Sequence, residues 1–264
     1  MNRISKVFSS GKKTLIVYLT AGFPEPGMDE ELVLTAIDAG ADIIELGFPF
    51  SDPVADGPLI QQASRTALEM GMTLAGTVDL AARIRQQRET PILLMGYANP
   101  VYHMGYVAFA GNLAEAGADG AIIPDLPMEA AGPLRDEMRA RELALIPMAA
   151  PNTPPERLRS LIEEGDGFLY LVSMAGLTGD ALKSGTPWKT VARMARASGR
   201  LPVCVGFGIS SGPDAAEAAG YADGVIVGSA VTARINQAGN LEEAKSGVRE
   251  LVKELAEAIR KAPA

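Results

Sequence analysis

The sequence predicts an α/β fold of a single domain, residues 1–264 closed into a (β/α)8 TIM barrel. Three observations predict it. Eight short apolar runs alternate with longer amphipathic segments from end to end. Most of those runs are continuously apolar, the pattern of parallel strands covered on both faces. No linker or composition shift interrupts the 264 residues, a length near the roughly 250 usual for one such barrel. A doubly wound open sheet is the rival architecture. It usually carries a glycine-rich fingerprint after its first strand, where this chain reads Thr20-Ala21-Gly22-Phe23-Pro24.

The elements follow in order. An apolar run over 15–19 gives the first strand, and an amphipathic segment over 30–39 the first helix. Ala39-Gly40-Ala41-Asp42 ends that helix on a glycine C-cap and launches the second strand, 42–46. A helix over 73–87 leads to the third strand, 92–96. A helix over 106–116 runs into a second Ala-Gly-Ala-Asp at 116–119 and the fourth strand, 120–124. The fifth strand, 143–148, precedes a helix over 154–163, and the sixth, 168–172, a helix over 188–197. The seventh and eighth strands, 203–206 and 224–227, flank a helix over 213–219. That helix ends in Ala219-Gly220-Tyr221-Ala222-Asp223, a third echo of the same turn. A helix over 241–261 completes the pattern.

Composition removes whole classes of chemistry. The formal net charge is −8, which argues against nucleic acid as a general partner but leaves room for a small anion at a local site. His103 is the only histidine, so a zinc site lacks ligands and a Ser-His-Asp triad has one poor candidate in Tyr102-His103-Met104-Gly105. It reads as a surface or loop residue. Cys204 is the only cysteine, so there is no disulfide framework and a reducing cytoplasm is expected. No apolar run reaches the ~18 residues of a membrane span, and residues 1–10 lack the apolar centre of a signal peptide.

In a barrel of this kind the chemistry sits on the loops after the strands' C-terminal ends. The second strand exits through Glu45-Leu-Gly-Phe-Pro-Phe-Ser-Asp52-Pro53-Val-Ala-Asp56-Gly-Pro58. Glu45 would sit at the strand's exit, where burial raises a carboxyl's pKa and lets it move protons near neutrality. Asp56 could stay ionised and hold a substrate N–H. Asp52 and Asp56 read equally as turn formers. The seventh strand exits through Val205-Gly206-Phe207-Gly208-Ile209-Ser210 and the eighth through Val227-Gly228-Ser229-Ala230. Glycines let backbone N–H groups close on a phosphate, and a helix N-terminus behind Ser229 would add its dipole. The long polar loop 173–186 suits a lid, with Thr178 able to reach a carboxylate of the second-strand loop. Tyr18, Tyr97 and Tyr170 fall near strand ends, either as walls of a slot for a planar ring or as ordinary barrel packing. Lysines such as Lys183, Lys189 and Lys245 fall on expected loops or helices, which counts against a Schiff-base aldolase.

The motif over 45–58 resembles the signature of the tryptophan synthase alpha chain family. The resemblance runs the length of the chain. It takes in Tyr18-Leu-Thr-Ala-Gly22, Met95-Gly-Tyr-Ala-Asn-Pro100, Pro124-Asp-Leu-Pro127, Gly176-Leu-Thr-Gly179, Gly206-Phe-Gly-Ile-Ser210 and Gly228-Ser229. It implies a lyase that cleaves indole-3-glycerol phosphate to indole and glyceraldehyde 3-phosphate by a retro-aldol reaction. It implies Glu45 as general acid/base and Asp56 as partner of the indole N–H. It implies Gly179, Gly208, Gly228 and Ser229 at the phosphate, and Tyr18, Ile60, Tyr97 and Tyr170 around the indole. It implies Thr178 as the lid's latch, and Asp52 and Pro53 facing a partner. That partner is a beta chain carrying pyridoxal phosphate in an alpha2-beta2 assembly, with no cofactor in this chain. Many members carry an arginine where this chain has Met174, a departure that touches lid anchoring and not the reaction. A catalytically idle regulatory subunit and a stand-alone lyase are the competing readings.

Overall fold

The computed structural model describes residues 2–172, 187–206 and 208–262. In chain order the elements are α1 (Arg3–Ser9), β1 (Thr14–Thr20), α2 (Met28–Ala39), β2 (Ile43–Gly47), α3 (Pro58–Glu69), α4 (Leu74–Arg85) and β3 (Ile92–Met95). Next come α5 (Ala98–Met104), α6 (Tyr106–Glu115), β4 (Gly120–Ile122), α7 (Gly132–Arg139), β5 (Ala144–Leu145), β6 (Met148–Ala149), α8 (Pro155–Glu164) and β7 (Leu169–Val172). The last are α9 (Pro187–Ser198), β8 (Val203–Gly206), α10 (Gly212–Ala219), β9 (Gly224–Val227), α11 (Ser229–Gln237) and α12 (Leu241–Arg260).

All strand pairs are parallel, in the order β5-β4-β3-β2-β1-β9-β8-β7-β6. The two ends of this sheet are halves of the strand expected over 143–148. Pro147 divides them, because it has no N–H to offer a ladder. The first half pairs with β4 and the second with β7, and the Ile146 N–H donates to Ala121 O at 3.0 Å while the Tyr170 N–H donates to Pro147 O at 2.9 Å. The split strand therefore closes the sheet into a barrel.

Side chains alternate across this wall as strand geometry requires. Leu15, Val17 and Leu19 pack outward under the helices, while Ile16 and Tyr18 point into the barrel. The interior cluster gathers Ile16, Ile43, Leu93, Ile122, Phe168, Cys204 and Ile226. Ile4 of α1 joins it from below, fully buried, and Phe8 lies 5.8 Å from the Phe168 ring. The N-terminal helix is thus the barrel's floor.

The recurring Ala-Gly-Ala-Asp turns do more than end helices. Gly40 and Gly117 sit at φ +119° and +71°, the left-handed conformation a C-cap favours. Gly220 in the third echo does not, at φ −65°. What all three share is the aspartate. Asp42 accepts the Leu15 N–H, Asp119 the Ile92 N–H and Asp223 the Val203 N–H, each at 2.9 Å. The backbone N–H of each aspartate donates back to the same residue's carbonyl. Each carboxylate pins the incoming strand to its neighbour at the lower rim.

Four helices have no counterpart among the expected ones: α1, α3, α5 and α7. In α3 the buried face is Ile60, Ala63, Ser64 and Ala67, a helical spacing built mostly from small residues. In α1 only Ile4 is buried, in α5 only Val101, and in α7 only Leu134 and Met138. Such faces give little hydrophobic periodicity to read. His103 lies exposed on α5, at the surface as expected.

Candidate active site

A cavity of about 250 Å³ opens at the C-terminal end of the barrel. Glu45, Asp56, Tyr18, Ile60 and Tyr170 line it from one side, and Gly208, Ser210, Gly228 and Ser229 from the other. The residues that sequence reading drew from the second, seventh and eighth strand exits thus meet around one space.

Glu45 is the third residue of β2, in register between Tyr18 of β1 and Leu93 of β3. The parity that sends Ile44 and Leu46 outward sends Glu45 inward. It is fully buried, and among the described residues neither carboxyl oxygen has a hydrogen-bond partner. Loss of hydration pushes its pKa up to about 8. A buried ionisable group without a partner is costly to keep, which makes Glu45 a candidate functional residue.

Asp56 sits on the loop between β2 and α3. A turn with the Asp56 N–H on Pro53 O at 3.2 Å, and Gln61 Nε2 on Asp56 O at 2.8 Å, fix its backbone. The Tyr97 hydroxyl donates to Asp56 Oδ2 at 2.9 Å. Burial raises Asp56 to about 6, and the hydrogen bond from Tyr97 opposes that rise. The two carboxyls are therefore set apart: near pH 7 Glu45 is mostly protonated and Asp56 mostly ionised.

Tyr97 departs from its expected place in the ring pocket. It is buried but does not line the cavity. Its ring stacks on Phe50 at 5.4 Å, and its hydroxyl accepts the Ala55 N–H at 3.1 Å while holding Asp56. Tyr97 lies two residues beyond β3, as the N-cap of α5, and there it faces the loop and not the barrel axis. Asp52 and Pro53 stand on the outer lip of the same loop, Asp52 exposed and Pro53 half-buried, next to a Val54 that is 70% exposed.

Tyr18 and Tyr170 reach over the interior because the facing residues are glycines. A Cβ on Gly47 would lie 2.1 Å from the Tyr18 hydroxyl, and one on Gly206 would lie 2.7 Å from that of Tyr170. Each glycine, on the strand beside its tyrosine's, thus makes the room that the tyrosine occupies. Met95 and Ile226 also line the cavity. Sequence reading did not single them out, although the inward parity shared with Leu93 and Cys204 would have found both.

At the opposite end Gly208 turns at φ +74°, and α11 begins at Ser229. The Thr232 N–H donates to Gly228 O at 3.0 Å, so the N–H groups of Ser229, Ala230 and Val231 have no partner within the helix. With the positive end of the helix dipole behind them, they form a seat for an anion. Gly179, Thr178 and Met174 lie outside the described residues, as does the rest of the expected lid. Among the described residues no three His, Cys, Asp or Glu side chains gather as a metal site, and no helix is long and apolar enough to cross a membrane.

The family model described as tryptophan synthase alpha chain matches residues 4–261. The chain belongs to the tryptophan synthase alpha chain family. It is 45% identical to the tryptophan synthase alpha chain of Caulobacter sp. (strain K31), over 98% of this chain and 95% of that one. It is 43% identical to that of Chloroflexus aggregans, over 99% of each. Among solved structures, tryptophan synthase subunit alpha from Legionella pneumophila superposes with a TM-score of 0.89 at 36% identity, covering 98% of both chains. A chain of Mycobacterium tuberculosis tryptophan synthase gives 0.90 at 34% identity, again over 98% of both. Membership covers the whole barrel, and with it both ends of the cavity.

Proposed function

We propose that this alpha chain is a carbon–carbon lyase that cleaves indole-3-glycerol phosphate to indole and glyceraldehyde 3-phosphate. The observation that carries the reading is Glu45, a fully buried carboxyl with no hydrogen-bond partner among the described residues, sharing one cavity with the N-terminus of α11. The phosphate sits on backbone N–H groups at Gly208, Gly228 and Ser229, and the indole lies toward Tyr18, Ile60 and Tyr170. Binding energy from the phosphate orients the bond to be broken.

The carbon–carbon bond breaks only when the ring can accept its electrons. The protonated Glu45 carboxyl delivers a proton to indole C3, and the ring becomes an iminium. The hydroxyl on the adjoining carbon loses a proton and its oxygen becomes the aldehyde. The bonding pair returns to C3 and quenches the iminium. One proton is given and one taken, so Glu45 ends as it began if it also receives the hydroxyl proton. Ionised Asp56 accepts the indole N–H and stabilises the positive charge at nitrogen, an effect greatest in the transition state. Thr178 is assigned to latch the lid over the closed site, and Gly179 to complete the phosphate seat.

The outer lip at Asp52 and Pro53 is assigned to a beta chain in an alpha2-beta2 assembly, with pyridoxal phosphate confined to that partner. The cytoplasm is the proposed compartment. Replacing Glu45 by glutamine tests the lyase reading. Indole release should fall to near background while glycerol phosphate binding stays within about threefold. Undiminished release would remove Glu45 from the mechanism, and a parent chain that releases no indole would make this an idle subunit. Size-exclusion with an added beta chain separates the subunit from a stand-alone lyase.

A further inference from the structure

The lower face of the barrel, opposite the mouth, carries a concentration of positive charge that the reaction does not use. Two adjoining cavities share Arg196. One, of about 450 Å³, is lined by Arg193, Arg196 and Tyr221, and the other, of about 490 Å³, by Lys12, Lys13, Arg196, Arg200 and Asp223. Three of these cations, Arg193, Arg196 and Arg200, continue the spacing of Lys189 along α9 and just beyond it, at steps of four, three and four residues. On the helix this puts Lys189, Arg193 and Arg196 along one side, while Arg200 follows the left-handed Gly199 beyond the helix end and lines the second cavity together with Arg196. Lys12 and Lys13 face it from the turn before β1.

The charge there is not balanced locally. Asp223 is the one carboxylate lining either cavity, and Arg196 pairs with it at 3.1 Å. Among the described residues Lys12, Arg193 and Arg200 hold no ion pair. The C-terminal ends of α9 and α10 contribute together roughly one negative charge. Asp42 lies within electrostatic reach of Lys12 and shares its charge with Arg260, which adds part of a further negative charge. Against five cations this leaves a surplus of about two to three positive charges on a chain whose net charge is −8. Lys13 registers the crowding. Its Nζ donates to Ala222 O at 2.9 Å, and burial together with the Arg196 charge lowers its pKa below the ordinary lysine value.

We propose that this lower-face basic cleft binds a compact anion of three or four negative charges, with a pyrophosphate group as the minimal form. Guanidinium forks match phosphate oxygens in pairs, which a single-charge anion cannot exploit across the cleft. The cleft lies at the N-terminal ends of β1, β8 and β9, whereas the mouth seat lies at their C-terminal ends, so the two bind separately.

The experiment is thermal unfolding of the intact chain with pyrophosphate at constant ionic strength. Glycerol 3-phosphate is present throughout to fill the mouth. Pyrophosphate at millimolar concentration should raise the Tm by about 3 °C or more, and sulfate should not match it. In the double variant Lys12→Glu with Arg200→Glu the rise should disappear, while indole release keeps its parent value. Both side chains are exposed and hold no ion pair among the described residues, so the fold should survive; the milder pair Lys12→Gln with Arg200→Gln should lose most of the rise as well. A rise of equal size in both double variants, an equal effect of sulfate, or no rise in the parent chain would each overturn the proposal. Nucleoside diphosphates tested alongside distinguish a nucleotide from inorganic pyrophosphate as the occupant.

Discussion

Glutamine at position 45 should make the protein more stable than its parent, and increasingly so as the pH rises. In the parent, burial carries Glu45 from its ordinary value of 4.5 to about 8. Between those values the folded chain holds a proton that the unfolded chain has released. Stability is therefore fully present below pH 4.5 and is lost as the pH climbs, at about 1.4 kcal/mol per unit, until Glu45 ionises in the fold near 8. From pH 5 to pH 7 the loss comes to about 2–3 kcal/mol. Glutamine has the same bulk and no proton to lose, so the variant escapes this term. All other groups titrate alike in the two proteins and cancel in the difference. Urea unfolding of both at pH 5, 6, 7 and 8 measures it. The difference should be under ~1 kcal/mol at pH 5 and about 3 kcal/mol at pH 7. In thermal melts the pH 7 gap corresponds to roughly 6–12 °C for a chain of this size. A difference that stays flat across this range would mean that Glu45 is hydrated or paired in solution, and the acid/base argument would lose its basis.

Other perturbations follow from the same geometry. The pH profile of kcat/KM should rise as Asp56 ionises near 6 and fall as Glu45 loses its proton near 8. Tyr97→Phe removes the hydrogen bond that holds Asp56 down, so the acid limb should move to higher pH with the alkaline limb unmoved; a fixed acid limb would detach Tyr97 from the aspartate. Asp56→Asn should lower kcat by about 10²-fold, and a loss confined to KM would assign it to ground-state binding. Gly47→Ala puts a methyl 2.1 Å from the Tyr18 hydroxyl. It should destabilise the fold by about 1–3 kcal/mol in urea titrations and raise KM; an unchanged KM would show that the Tyr18 ring does not shape the substrate pocket.

Much of this was legible in the sequence because barrel strands announce themselves. Runs such as Leu15-Ile16-Val17 and Leu93-Leu94 are apolar on both faces, and only a covered parallel strand requires that. An acid inside such a run, as Glu45 is, can only face the barrel interior or unsettle it. What escaped reading has equally plain causes. Pro147 splits the fifth strand, yet hydrophobicity stays continuous from Leu143 to Met148. The buried face of α3 is largely alanine and serine, so its period is almost silent. The aspartates of the Ala-Gly-Ala-Asp turns looked like turn residues, because their partners Leu15, Ile92 and Val203 are distant in sequence. Tyr97 could be placed near the site but not within it. A tyrosine just past a strand can point along the barrel axis or into the adjoining loop, and only packing against Phe50 decides.

The tyrosine–glycine pairing across neighbouring strands limits how the chamber can be redesigned. Its width is set by couples, Tyr18 with Gly47 and Tyr170 with Gly206, so neither member can be exchanged alone without either jamming the space or leaving it hollow. An engineer wanting a bulkier aromatic product would have to trade both partners at once, shrinking the ring on one stave while restoring a side chain on the next.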